Sequence, residues 1–401
     1  MTVPSSGPQR VVAGIDPHAD TIHVAVITTT GLPVTDREFP TTADGYRQAV
    51  TFLRASGEVE RVGVEGAAGY GAGVTRALSA AGVEVVEVAR PTRADRRRAG
   101  KTDQLDAYHA ARSVLAGRLS PVKDPAIDGL RALHLARRSA VKARTATMNQ
   151  IVSMLVMAPD PVREKFRRLT GEHLVNALIR ARNTYDDTPA ADTLTALKTL
   201  AERHRHLTGQ TGQLTRRIDP LVSAAHPALR AAHGVGPDTA AQLLITAGNN
   251  PDRLTSEASF AALCGVAPVP ASSGKTNRHR LSRGGDRAAN NALYRIALVR
   301  MSSHSQTKAY VTRQTARGRS KLEIIRMLKR AIAREIYRLL TQPVTVPDYT
   351  DLRPTRQAKN ITLTAVAQHF GIWPTTISRL ERGHQRNDTL AQHYRDWLLT
   401  A

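Results

Sequence analysis

An α/β layered domain over residues 1–122, followed by a mainly α-helical remainder, is what the sequence predicts, and three observations carry it. Strand-like and helix-like runs alternate up to Leu115. From Leu130 onward, apolar residues fall at helical spacing through most of the chain. Residues 1–90 hold seven Lys or Arg against ten Asp or Glu, whereas residues 271–340 hold seventeen against three. Alternating strands and helices cover both faces of a sheet, which is the α/β way of burying apolar surface.

The elements follow in order. Arg10–Asp16 (RVVAGID) and Thr21–Thr29 (TIHVAVITT) are β-rich runs separated by the turn-like Pro17–Asp20, so they predict an antiparallel pair. Gly31–Pro33 turns the chain into a third short strand. Ala43–Leu53 reads as a helix, Arg61–Gly66 as a buried strand, Gly71–Ala80 as a helix leading to a strand at Val83–Val88. Thr102–Leu115 is helical, with Thr102 placed to cap it. Leu130–Met157 puts Val141, Met148, Ile151, Val152 and Leu155 at helical spacing, and a second helical stretch runs from Pro161 to about Arg182. In Asp192–Ile218, Leu200, Leu207 and Leu214 recur every seven residues, interleaved with Leu197 and Ile218. That repeat predicts a helical hairpin or coiled coil, or equally an amphipathic helix in a bundle, closed by Pro220. Pro343, Pro347 and Pro354 mark a linker over 343–358.

The formal charge of +23 on 401 residues, with a pI of about 11.0, is too basic for a housekeeping metabolic enzyme and points to a polyanion as partner. Only ten of the 57 cations are Lys. Arg forks onto phosphates and guanine edges, although a GC-rich genome explains the preference equally well. With 41% hydrophobic residues the chain folds rather than forming a disordered basic tail. The single Cys264 excludes an internal disulfide and a thiolate zinc cluster. No apolar run approaches the roughly 18 residues of a membrane span, and Met1–Arg10 is no signal peptide, so a cytoplasmic, nucleoid-associated protein is expected.

Four carboxylates stand out by position. Asp16 ends the first strand, Glu65 ends the strand RVGVE, and Asp103 and Asp106 lie three apart, on one face of a helix. Carboxylates from two strand ends and a helix can converge at one sheet edge, where such oxygens suit a pair of Mg²⁺ ions roughly 4 Å apart that assist phosphoryl transfer. Taken singly, each is an ordinary solvated acid. His233–Thr239 (HGVGPDT) is a GxG turn opening a helix, a place where backbone N–H groups at Gly234 and Gly236 can hold a phosphate, or a plain interhelical turn.

The order GID (14–16), VEGAAGY (64–70), KTDQLDA (101–107), a helical middle, then HGVGPDTAAQLL and FAALCGVAPVPASSGKTNRHRLSRGGDRAANNALYRIA resembles the bacterial insertion-sequence transposases of the insertion sequence one-hundred-and-ten family. The resemblance covers about residues 10–340, and its specific parts are KTDxxDA and GxxPxxxxSG. It implies an RNase H-like domain of RuvC type with a DEDD tetrad, here Asp16, Glu65, Asp103 and Asp106, holding Mg²⁺. A separate transposase domain follows, in which Ser273 matches the nucleophilic serine; Ser272 directly precedes it, so motif register rather than chemistry separates the two. The resemblance further implies a covalent phosphoserine link to DNA, a composite site often formed between subunits of a homo-oligomer (a dimer or tetramer), and a noncoding bridge RNA as guide. Asn290 and Asn291 stand where the family often has a basic residue.

These readings divide the chain into an RNase H-like domain (1–122), a helical hairpin or coiled coil (123–222), a transposase domain with a helix-hairpin-helix-like turn (223–342), a linker (343–358) and a C-terminal module (359–401). In the last, Leu363–Gly383 (LTAVAQHFGIWPTTISRLERG) resembles the helix-turn-helix of phage-repressor-type regulators, with Thr375, Thr376 and Arg379 on the helix that enters DNA. Further nucleic-acid contacts are expected at Arg96, Arg97 and Lys101, and at Lys275, Arg278, Arg280 and Arg283 near the serine. Double-stranded DNA and the guide RNA are the expected partners, and no membrane. Two alternatives are a RuvC-like hydrolytic nuclease or junction resolvase, and a non-catalytic helix-turn-helix regulator.

Overall fold

The computed structural model describes residues 9–89, 102–271, 279–280, 282, 284–342, 344–383 and 386–400. Its chain groups into two compact units, residues 1–132 with 244–256, and residues 133–243 with 257–401.

In the first unit, strands β1 (Arg10–Pro17), β2 (Thr21–Thr28) and β3 (Pro33–Pro40) form an antiparallel meander. The third strand is longer than the short one expected, because it pairs with β2 from Thr21 to Ile27. Helix α1 (Ala43–Ala55) leads to β4 (Glu58–Glu65), and α2 (Ala72–Ala80) leads to β5 (Val85–Val88). Strand β4 lies between β1 and β5 and runs parallel to both. After α3 (Asp103–Leu115), the short β6 (Leu119–Pro121) adds antiparallel to β5, giving the order β3-β2-β1-β4-β5-β6. Residues 244–256 join this unit rather than the transposase domain expected over 223–342: Asn250 Nδ2 donates to the Val122 carbonyl at 2.9 Å, and Arg253 pairs with Glu87 at 2.8 Å.

The period of two along β1 separates its faces. Val11, Ala13 and Ile15 enter one apolar cluster with Leu53, Val74 and Leu78 of α1 and α2, while Val12 enters another with Ala110, Ala111 and Val114 of α3. Gly14 and Asp16 share the α3 face with Val12. Gly14 is directly paired with Gly63 of β4. A Cβ at Gly14 would lie 2.1 Å from the Ala111 nitrogen and 2.2 Å from the Ala107 carbonyl oxygen, and one at Gly63 would lie 2.6 Å from Val114 Cγ2. The two glycines therefore form a flat seat on which α3 rests backbone against backbone.

In the second unit, α4 (Asp128–Val156, from Leu133 on), α5 (Asp160–Phe166), α6 (Gly171–Arg180) and α7 (Thr188–Ala225) pack around Ile151, Leu155, Val162, Phe166, Leu174, Leu178, Leu194 and Leu197. The single stretch expected from Pro161 to Arg182 is two helices, broken before Gly171, whose φ of +54° is left-handed. Pro220 does not close α7. The helix continues to Ala225, with Val222 fully buried in its last turns. Proline there removes one backbone donor, and burial of Val222 and Ile218 outweighs that loss. The buried stripe of α7 runs through Leu194, Leu197, Ala201, Thr211, Ile218 and Val222, whereas Leu200, Leu207 and Leu214 are only half-buried.

The remainder comprises α8 (Pro227–Ala231), α9 (Pro237–Ala247), α10 (Glu257–Leu263), a two-stranded ribbon of β7 (Val269–Pro270) and β8 (His279–Arg280), α11 (Arg287–Ser303), α12 (Ser305–Ala316) and α13 (Lys321–Thr341). Arg300 holds Glu335 through a bidentate pair at 2.6 and 2.9 Å, tying α11 to α13. The last helices are α14 (Leu352–Ala358), α15 (Leu363–Phe370), α16 (Pro374–Glu381) and α17 (Asp388–Thr400). The expected linker 343–358 is in part a structured element. Tyr349 and Leu352 belong to the same core as Val366, Ile377, Leu380 and Tyr394, and the buried Arg356 guanidinium clasps Glu381 at 2.6 and 3.1 Å, with Tyr394 also donating to Glu381 at 2.9 Å. Pro354 sits in the first turn of α14, where its missing N–H costs nothing.

Gly14→Ala should destabilise the first unit by about 3 kcal/mol or more, because its new methyl meets helix backbone that cannot rotate away. Urea denaturation measures the loss; a change below about 1 kcal/mol would mean that α3 is free to shift.

Candidate metal and nucleic-acid sites

Strand parity and the glycine seat together place the acidic residues. Asp16 lies two residues after Gly14 and Glu65 two after Gly63, so both carboxylates leave the α3 face at the C-terminal ends of parallel neighbouring strands. In open α/β sheets this edge is where ligands bind. Thr102 accepts from the Leu105 N–H at 3.2 Å and opens α3 as its cap, which sets Asp103 and Asp106 in the first turn.

Asp16 is only 7% exposed. Burial pushes its carboxyl above the ordinary range; His18 opposes that shift, and the charges of Asp106 and Glu65 add to it. All four sequence-identified acids thus stand at one sheet edge, with Asp106 and Glu65 near enough to act on Asp16.

Sequence reasoning missed His18. Its Nε2 lies 3.0 Å from Asp16 Oδ2 and 3.1 Å from Asp103 Oδ1, bridging strand and helix. Ligand atoms of Asp16, His18 and Asp103 all fall within 4.8 Å of one another, a spacing that fits a metal ion. A buried carboxylate crowded by two others needs positive charge, and these oxygen donors suit a hard divalent cation. The residues present therefore fit a metal.

A second network braces α3. Asp36 of β3 accepts from Gln104 Nε2 at 2.8 Å and from the Tyr108 hydroxyl at 3.0 Å, while its other oxygen meets His23 Nε2 at 2.8 Å. Partial burial raises the Asp36 pKa, but the hydrogen bonds from Gln104, His23 and Tyr108 outweigh it and hold the carboxyl below its ordinary value. Gln104 lies between the two acidic residues of α3 and Tyr108 two residues after the second, so this network fixes the rotation of the helix. Nothing local in the sequence announces it, since Asp36 and Gln104 are 68 residues apart.

The GxG turn leads directly into α9. Gly234 is left-handed at φ +79°, but the Gly236 N–H meets Thr239 Oγ1 at 3.1 Å, so the helix start satisfies that donor itself. Asp238, in the first turn of α9, gathers Arg137, Arg295 and His134, the last at 3.1 Å. Burial raises its pKa, yet these partners overwhelm that effect and keep it far below the ordinary carboxylate value. A cavity of about 580 Å³ lies over this turn, lined by Arg137, Arg230, Gly234, Gly236, Arg295 and Arg386 among others.

Arg280 is exposed on β8. Thr375 and Arg379 are exposed and Thr376 half-buried on α16, which follows α15 after a left-handed Gly371 at φ +63°. Cys264 is buried, which pushes its thiol up to about 12 and leaves it inert. Arg96, Arg97, Lys101, Ser272, Ser273, Lys275, Arg278 and Arg283 lie outside the described residues.

A mixed six-stranded sheet of order 3-2-1-4-5-6 with acids at its central parallel edge, followed by a mostly helical region, fits an RNase H-like amino-terminal domain. The comparisons carry this further. The IS110 DEDD transposase model, described as "Transposase", matches residues 13–158, and the model "Transposase IS116/IS110/IS902 family" matches residues 226–312. The chain is also 33% identical over 124 residues to "Insertion element IS110 uncharacterized 43.6 kDa protein" of Streptomyces coelicolor. That match spans 30% of this chain and 30% of the relative. The chain belongs to the IS110 family of transposases. The DEDD domain type implies use of a divalent metal, and among the described residues no helix is long and apolar enough to cross a membrane.

Millimolar Mg²⁺ or Mn²⁺ should raise the melting temperature of the purified protein, by the equivalent of about 2.7 kcal/mol at a hundred times Kd. Asp16→Asn and Asp103→Asn should each cancel most of that rise in a thermal-shift titration. An equal rise in both variants would place the ion elsewhere.

Proposed function

We propose that this protein cuts and rejoins DNA as the transposase of an insertion sequence, with Asp16, Glu65, Asp103 and Asp106 as ligands of Mg²⁺ and Ser273 as nucleophile. The observation that carries the proposal is the gathering of the four acids at one sheet edge in a chain whose two family matches flank the helical middle. Bound there, the ions supply charge neutralisation at the phosphate and stabilise attacking and leaving oxygens.

The protein's own contribution is orientation. Asp16 and Asp103 present oxygens from a strand end and a helix start that the glycine seat locks together. His18 spans the same two carboxylates and holds them at a fixed separation. Ser273 Oγ attacks the DNA phosphorus, a P–Oγ bond forms, one P–O bond to deoxyribose breaks, and the released sugar oxygen takes up a proton. Serine's own proton passes to a nearby base or water. Rejoining reverses the step with a different DNA hydroxyl, so the phosphoserine link conserves bond energy without ATP.

The basic second half favours backbone contacts over base reading, which suits guidance by a noncoding bridge RNA paired to target and donor DNA. A carboxylate centre and a serine carried on separate domains suit a composite site built by a homo-oligomer, a dimer or tetramer, working in the cytoplasm at the nucleoid. The α15–α16 pair, with Thr375, Thr376 and Arg379 on the second helix, is read as a helix-turn-helix that contacts duplex DNA.

Ser273→Ala should abolish strand exchange in a purified assay while changing DNA affinity by less than about threefold; a large loss of affinity would make the serine structural. Removing everything from 344 onward, the cut that respects the core of Tyr349 and Leu352, should alter target choice and leave cleavage intact. Loss of cleavage by that truncated protein would contradict a purely DNA-reading role for the C-terminal helices.

A further inference from the structure

The strongest unexplained charge in the second unit is Lys329. It lies on α13 with 9% of its surface exposed, yet its ammonium meets a neutral acceptor, Asn290 Oδ1 at 2.8 Å. Asn290 in turn donates Nδ2 to the carbonyls of Gly265 at 2.7 Å and Cys264 at 3.2 Å. Those two bonds fix which end of the amide faces Lys329. Among the described residues no carboxylate pairs with this ammonium, and both burial and the neighbouring Arg326 charge push its pKa down. The nearby acids are engaged elsewhere. Glu323 caps the Ser320 backbone N–H at 2.8 Å, and Glu257 takes Arg330 and Arg334.

A buried cation without a counter-charge is costly, and a fold gains nothing by keeping one for stability alone. Lys329 also borders a cavity of about 930 Å³ whose wall includes Pro268, His279, Arg280, Arg319 and Arg326. Arg280 and Arg326 are exposed at its mouth, so the cavity offers a graded approach from solvent to a desolvated ammonium. An ammonium with two donors to spare, flanked by guanidinium groups, matches a phosphodiester, which brings one negative charge and two free oxygens.

We infer that Lys329, oriented by Asn290, docks a backbone phosphate of the DNA strand being processed, with Arg280 and Arg326 at the entrance. DNA is favoured over RNA because the strand cut and rejoined under the proposed function is DNA, and His279 and Arg280, which line the cavity, follow Ser273 by six and seven positions in the sequence. In this respect the inference rests on the proposed function. Lys329 is a positioning residue: it holds the strand and takes no part in bond making.

The test measures binding of the full-length protein to a fluorescein-labelled DNA duplex of mixed sequence at several salt concentrations, by anisotropy. Lys329→Met and Arg326→Ala should each lower the slope of log Kobs against log salt by about 0.9, the loss of one phosphate contact. Lys329→Met should also melt no lower than the wild type, since it removes an uncompensated buried charge. Unchanged slopes in both variants, or a lower melting temperature with an unchanged slope in Lys329→Met, would overturn the assignment and leave the ammonium structural. A labelled RNA hairpin forms the second arm, and a slope change seen with RNA alone would overturn the choice of DNA. If the slopes stay unchanged while Ser273→Ala still blocks strand exchange, this inference alone falls. A wild type with no salt-dependent DNA binding would remove both it and the proposed function.

Discussion

The acidic centre depends on one close approach. Gly14 and Gly63, side by side on parallel strands, leave no side chain between the sheet and α3, and the helix backbone fills that space. Any Cβ there would hold α3 away and carry Asp103 and Asp106 with it. The same parity that puts the glycines under the helix puts Asp16 and Glu65 two residues further along the same face. Packing therefore creates electrostatic crowding: apolar contacts of Ala110, Ala111 and Val114 press carboxylates together that would otherwise repel. The cost appears as the raised pKa of Asp16; His18 opposes it, and a cation held by these carboxylates would oppose it further.

The rest of the first unit reads as support for that arrangement. Asp36 reaches Gln104 and Tyr108 on α3 and prevents rotation about the glycine seat. The parallel run of β1, β4 and β5 brings two strand ends to one edge, while the antiparallel β2 and β3 widen the sheet on the side where Asp36 stands. The second unit solves a different problem. Its polar contacts hold cations, as in the clasp of Arg300 with Glu335 and the gathering of Arg137, Arg295 and His134 around Asp238. Its buried guanidinium groups, Arg300 and Arg356, are each paired with a carboxylate, which is why the buried Lys329 stands out.

Much of the architecture was legible from local pattern. β-Rich runs split by the turn at Pro17–Asp20 gave β1 and β2, the Thr102 cap gave the start of α3, and three-residue spacing put Asp103 and Asp106 on one face. What was not legible depends on distance or on energetic competition. His18 carries no spacing signal, and its meaning comes from Asp103, 85 positions away, through an edge that only the folded sheet forms. The Asp36 network and the pairing of Lys329 with Asn290 are similarly non-local. Pro220 misled because a helix breaker was weighed without the burial of Val222, and the prolines near residue 350 because turn chemistry was weighed without the buried Arg356 and Glu381 pair. The GxG turn pointed to free N–H groups, but Thr239, three residues beyond Gly236, satisfies that donor.

We propose that carboxylates on the sheet edge work with a serine nucleophile in breaking and rejoining DNA, and the most direct measurement is the fate of the cleaved strand. Full-length protein incubated with Mg²⁺ and a DNA substrate carrying a nick that prevents religation, then digested and analysed by mass spectrometry, should yield a peptide containing Ser273 esterified to a DNA phosphate. Asp16→Asn should yield none. Cleaved DNA with free ends and no protein adduct would contradict the account and leave a hydrolytic nuclease in its place.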